Sequence, residues 1–97
     1  MTAQPKHLAL YEHELCGFCQ RVRAAIRRLG LEVESRNTLR EPGRREELVA
    51  GGGKAVVPCL RIEHEDGEVD WLYESADIIA CLERLAAGEA PGYRAQS

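Results

Sequence analysis

The sequence is poor in aromatic residues, with one Phe, one Trp and three Tyr among 97 residues. A core built from it must therefore rest on Leu, Val, Ile and Ala. No apolar run reaches the roughly 18–20 residues that a membrane-spanning helix needs. The stretch Met1 to Lys6 has no apolar centre of the kind a secretory signal carries, so a cytoplasmic location is expected. Four cysteines in 97 residues fall well below the ~8–10% of secreted disulfide scaffolds. A close cysteine pair in a reducing compartment then points to redox chemistry or metal binding rather than to a structural bridge. An excess of positive charge is also missing. The formal net charge is −3, which argues against nucleic acid as a partner.

The length suits a single domain. Such a chain buries about 60–65% of its unfolded surface, enough for a core without covalent help. The charges are uneven: Arg21, Arg23, Arg27, Arg28, Arg40, Arg44 and Arg45 lie in the first half. Glu63, Glu65, Asp66, Glu68 and Asp70 follow later. Solvated faces of opposite sign account for this, although the basic half could also steer a small anion.

The periodicities give seven elements. His7 to Glu12 is a short buried strand. Phe18, Val22, Ala25, Ile26 and Leu29 recur at helical spacing, and Gly30 stops that helix. Leu31, Val33 and Ser35 alternate with Glu32 and Glu34 as a second strand. Pro42 opens a short helix that runs to about Ala50 and ends at Gly51-Gly52-Gly53. Val56 to Ile62 forms a third strand with Pro58 near its start. Asp66-Gly67 marks a hairpin turn, leading into a fourth strand from Val69 to Tyr73. Ser75 is the expected N-cap of a last helix, with Ile78, Cys81, Leu82 and Leu85 on one stripe. The expected boundaries are a disordered segment over 1–6, a domain over 7–87 and a disordered tail over 88–97. The order β-α-β-α-β-β-α implies an α/β, thioredoxin-like fold. Its four-stranded mixed sheet has a parallel first pair, a final antiparallel hairpin and helices on both faces.

The chemistry concentrates in Cys16-Gly17-Phe18-Cys19, at the junction of the first strand and first helix. A thiol at a helix N-terminus faces unpaired backbone N–H groups and the positive end of the helix dipole, which favours its thiolate. Cys19 lies one turn further on, near enough to pair with it. Half of a zinc site is the competing possibility, but zinc would want two further ligands at suitable spacing. Cys59 and Cys81 are single, and His7, His13 and His64 are scattered, so no metal ligands are assigned. Cys59 and Cys81 suit the core, and the position of Cys59 beside Pro58 leaves a regulatory thiol open. Trp71 and Tyr73 suit packing on the fourth strand.

Three separated motifs, Cys16-Gly17-Phe18-Cys19, Val57-Pro58 and Leu72-Tyr73-Glu74-Ser75-Ala76-Asp77-Ile78, together resemble the glutaredoxin family. They are also similar to the N-terminal, glutathione-binding domain of glutathione transferases. The resemblance runs from about His7 to Ala87. It implies a cis bond before Pro58, which would otherwise read as a strand-start proline. It also implies that the Val57 backbone pairs with the cysteinyl part of glutathione. Glu74 and Ser75 match the residues that hold the γ-glutamyl end, a role that suits a hydroxyl and free N–H groups at a helix N-terminus.

Three features depart from the pattern. Glutaredoxins often carry Lys where this chain has His13, so Lys54, Arg40, Arg44 or Arg45 would have to meet the glycine carboxylate of glutathione. Gly17 stands where dithiol glutaredoxins usually have Pro. Cys19 stands where the monothiol branch has Ser. The implied activity is that of a monomeric glutathione-dependent thiol–disulfide oxidoreductase. Cys16 attacks glutathionylated or disulfide-bonded substrates and Cys19 resolves the product. The alternatives are an iron–sulfur carrier, with two chains sharing a two-iron two-sulfur cluster through Cys16 and glutathione, and a glutathione-binding module with little turnover.

Overall fold

The computed structural model describes residues 4–90. In chain order the elements are β1 (His7–Glu12), α1 (Gly17–Leu29), β2 (Glu34–Asn37), α2 (Arg44–Gly52), β3 (Cys59–Glu63), β4 (Val69–Leu72) and α3 (Ser75–Ala86). The strands form one mixed sheet in the order β2-β1-β3-β4. β1 runs parallel to β2, with Ala9 opposite Glu34 and Glu12 opposite Asn37. It runs antiparallel to β3, which pairs antiparallel with β4. This is the expected thioredoxin-like layout.

The period of two along the strands divides the interior into two layers. Leu10 of β1 with Leu60 and Ile62 of β3 faces Val22 and Ile26 of α1 and Ile78, Cys81, Leu82 and Leu85 of α3. The opposite face carries Tyr11 and Cys59, which pack on Leu48 of α2 with Val57, Trp71 and Tyr73 around them. Burying one Leu or Ile side chain contributes about 1.5–3 kcal/mol, so the first layer carries most of the cohesion. The second is smaller and richer in aromatic and polar atoms.

Several boundaries differ from the expected ones. The second strand begins at Glu34, opposite Ala9, rather than at Leu31. Leu31 and Val33 instead pack on the core from the connecting segment. Pro42 precedes α2, whose N-cap is Gly43 at φ 86°, a left-handed conformation that glycine adopts without strain. Gly51 and Gly52 belong to that helix, and Gly53 caps it. The third strand begins at Cys59, after Pro58, which has no N–H to give a ladder. The fourth ends at Leu72. Glu74, not Ser75, is the N-cap of α3, and Ser75 is its first residue.

The described residues near both ends of the chain carry hydrogen bonds. The Lys6 N–H donates to the Glu63 carbonyl at 2.8 Å, and the Glu89 N–H to the Arg84 carbonyl at 2.8 Å. Gln4 Nε2 reaches the Glu89 carbonyl and Arg84 Nε the Ala90 carbonyl. Residues 1–3 and 91–97 lie outside the described residues. Among the described residues no helix is long and apolar enough to cross a membrane.

Candidate active site

β1 ends at Glu12, and the loop His13 to Leu15 delivers Cys16 to the N-cap of α1. There Cys16 Sγ accepts the Cys19 N–H at 3.3 Å, one of the donors that a helix start leaves without an intrahelical partner. Two networks fix the loop. The buried Glu12 carboxylate accepts Arg23 Nε at 3.0 Å and the Ser35 hydroxyl at 2.6 Å. Glu14 accepts Asn37 Nδ2 at 2.8 Å and pairs with Arg40. These two hydrogen bonds hold the Glu14 carboxyl down at about 2. Neither network was legible in the residue pattern, because both depend on the parallel pairing that sets Glu12 beside Asn37.

The two cysteines of the pair differ in exposure. Cys16 is partly accessible, whereas Cys19 is 1% exposed. Burial, with a hydrogen bond to Cys16, pushes the Cys19 thiol up to about 12. Cys19 therefore keeps its proton beside Cys16. Cys59 and Cys81 are buried as expected, and burial pushes their thiols up to about 12 and about 11. The place of Cys59 under the sheet argues against a regulatory thiol there.

The Cys16 thiol also approaches the Val57 carbonyl, with Sγ 3.8 Å from the oxygen. The Val57–Pro58 bond is cis. Val57 and Pro58, with Phe18, Val56, Glu74 and Ser75, line a cavity of about 220 Å³. The structure thus brings together the thiol, the Val57-Pro58 step and the Glu74-Ser75 turn, which are far apart in the chain. Glu74 has φ 66° and ψ 110° and makes no side-chain capping bond. It is the only described non-glycine residue at positive φ. Phe18 (59% exposed) and Val56 (54%) form an apolar margin to this site.

The basic candidates separate clearly. His13 Nδ1 is buried without a hydrogen-bond partner among the described residues. Arg40 is paired with Glu14, and Arg44 with Glu34, Glu41 and Glu47. Lys54 has no carboxylate partner among the described residues, and its Nζ lies 4.8 Å from the centre of the Tyr73 ring. Among the described residues no three His, Cys, Asp or Glu side chains are grouped to hold a metal ion. Cys16 is also the one thiol of the pair open to solvent. The donor set of a single chain therefore does not fit an iron–sulfur cluster.

Residues 10–90 match the family described as Glutathione S-transferase, N-terminal domain. The chain belongs to that family. No curated protein sequence matches this transferase-type domain at a significant level. Among solved structures, it is similar to maleylacetoacetate isomerase from Anaeromyxobacter dehalogenans 2CP-1 with bound GSH. The identity is 28% and the TM-score 0.64, over 90% of this chain and 41% of the isomerase. A Fasciola hepatica sigma class GST shares the fold at 22% identity and TM-score 0.61, over 84% of this chain and 38% of that one. A glutaredoxin from Brucella melitensis shares it at 20% identity and TM-score 0.57. That match spans 92% of this chain and 94% of the glutaredoxin. The domain thus spans about two fifths of the isomerase and of the sigma class enzyme, and nearly all of the glutaredoxin.

Proposed function

We propose that this domain is a glutathione-dependent thiol–disulfide oxidoreductase. The observation that carries the reading is the Cys16 thiol at a helix N-cap, 3.8 Å from the Val57 carbonyl, beside the cavity that Val57, Glu74 and Ser75 line. The Val57 backbone offers hydrogen bonds to the cysteinyl part of glutathione. Glu74 pairs with the γ-glutamyl ammonium, and Ser75 with the carboxylate. Lys54, which has no carboxylate partner among the described residues, meets the glycine carboxylate. The GSH-bound isomerase structure supports a ligand of this class.

In the reaction, the Cys16 thiolate attacks the glutathione sulfur of a mixed disulfide. A Cys16–glutathione disulfide forms, and the substrate leaves as a thiolate that takes a proton from water. A second glutathione thiolate attacks the glutathionyl sulfur, releasing glutathione disulfide and the Cys16 thiolate. With a protein disulfide, Cys19 can resolve the intermediate once it gives up its proton. Its high pKa makes that route slow near neutral pH.

The test is reduction of a small glutathione mixed disulfide by anaerobically purified protein, with its visible spectrum recorded. Cys16→Ser should abolish turnover and Cys19→Ser should retain most of it. Absence of turnover in the folded wild type would reject the proposal. A coloured preparation without turnover would assign the site to cluster transfer by paired chains, and saturable glutathione binding alone would assign it to a binding module.

A further inference from the structure

Tyr73 is hydrogen-bonded to Lys54, which lies two residues before Val56 of the cavity lining. It follows β4 directly and precedes Glu74. Its hydroxyl donates to the Lys54 carbonyl at 2.9 Å and accepts the Lys54 N–H at 3.3 Å. Its ring lies under the Lys54 ammonium, 4.8 Å from Nζ. The hydroxyl also meets the Cys59 thiol. The chain runs close over this ring at Gly52, where a Cβ would overlap the Tyr73 hydroxyl. One side chain thus grips both backbone groups of Lys54 and carries its charge on an aromatic face. A cation over an aromatic ring is attracted by the ring's negative face. The Lys54 side chain would otherwise be a long exposed chain with many rotamers, costly to order on a ligand.

We propose that Tyr73 is a positioning residue for Lys54, holding its ammonium where the glycine carboxylate of glutathione binds. This rests on the glutathione site described above and adds a residue that touches no ligand itself. The Lys54 backbone is fixed by the two hydrogen bonds to the hydroxyl, and the rotamer by the ring. The ligand then meets a cation already in place, and preorganisation of this kind raises affinity by lowering the ordering cost.

The test compares glutathione with its glycine ethyl ester, which lacks the carboxylate, as the reducing thiol in turnover assays. Tyr73→Phe keeps the ring and removes the hydroxyl. It should raise the KM for glutathione roughly 5- to 10-fold, the loss of about one hydrogen bond's worth of order, with kcat unchanged. The ester should bind the wild type more weakly than glutathione does, and Tyr73→Phe should not weaken it further. Lys54→Gln should reproduce the selective loss, and adding Tyr73→Phe to it should change nothing more. This second variant keeps the test decisive if the tyrosine change lowers the melting temperature. An equal loss for both thiols, no loss for either, or additive effects of the two substitutions would overturn the role of Tyr73 and leave the glutathione site standing. A wild type that neither thiol saturates would overturn both.

Discussion

Two substitutions at Glu74 separate its backbone strain from the contact with glutathione proposed for its side chain. Its backbone sits at φ 66°, ψ 110°, where a residue with a Cβ costs about 1–3 kcal/mol. Glycine removes that cost but adds about 0.4–1 kcal/mol of unfolded-state entropy. The side chain is exposed and caps nothing, so its loss alone costs little. Glu74→Gly should therefore stabilise the fold by about 1 kcal/mol, which for a domain of this size raises Tm by roughly 4–8 °C. Glu74→Ala keeps the Cβ and the strain, and should leave Tm within about 2–4 °C of wild type, the reach of a surface change of up to ~0.5 kcal/mol. Both variants lose the carboxylate. A hydrogen bond to a charged group is worth about 1.5–3 kcal/mol, so both should need roughly 10-fold or more glutathione for the same turnover. The assays are thermal melting and glutathione dependence on the same preparations. A glycine variant that melts no higher than the alanine variant would refute the strain. Unchanged glutathione dependence in both would refute the binding role.

Two further predictions concern the two layers of the core. Gly51→Ala should destabilise the protein by about 1–3 kcal/mol, as overpacking does, although alanine normally improves a helix interior by up to ~1 kcal/mol. A Cβ there would overlap the Trp71 indole; a urea midpoint at or above wild type, with unchanged Trp71 fluorescence, would show that the contact is loose. Stability of the reduced protein should fall between about pH 9 and pH 12. Cys19, Cys59 and Cys81 keep their protons in the fold to about 12, 12 and 11 against an ordinary value of 9.0. Below 9 both states hold these protons and stability is flat. Above it the unfolded chain releases them first, so each thiol removes up to about 1.4 kcal/mol per pH unit until its folded value is passed. Denaturant midpoints that stay level from pH 8.5 to 11 would show the three thiols are not shielded.

The elements with strong periodicity were legible in the sequence, and those set by pairing partners were not. β1 and α1 begin and end where their residues indicate, because an apolar run and a Gly30 stop at φ 69° act locally. β2 did not, since its alternation starts at Leu31 but Leu31 and Val33 pack on the core before the ladder with β1 opens at Glu34. The site shows the same division. Cys16 and the Val57-Pro58 step were visible as motifs, and their 3.8 Å approach follows from β1 lying beside β3. Glu12, Arg23 and Ser35 carried no motif, and Tyr73 stood inside one without a role of its own. Glu12 and Tyr73 look like ordinary strand-end residues until the sheet order brings their partners to them.

The fold also explains why one thiol of four is left for chemistry. Cys59 and Cys81 point from β3 and α3 into the two core layers, where burial holds their protons. Cys19 lies on the inner face of α1 with Val22 and Ile26, one turn after Cys16. Only the N-cap position escapes this geometry, because it precedes the turn that would rotate it inward. It gains the free N–H groups at the helix start in the same step. Opposite it, Pro58 keeps Val56 and Val57 out of the β3 ladder, so the Val57 backbone is available beside the thiol and not consumed by sheet pairing. A helix start and a strand interrupted by proline, placed side by side by the β1–β3 pairing, therefore set a partly accessible sulfur next to a peptide edge outside the ladder. The Glu74-Ser75 turn lines the same cavity and adds what that edge lacks, a carboxylate and a helix N-terminus.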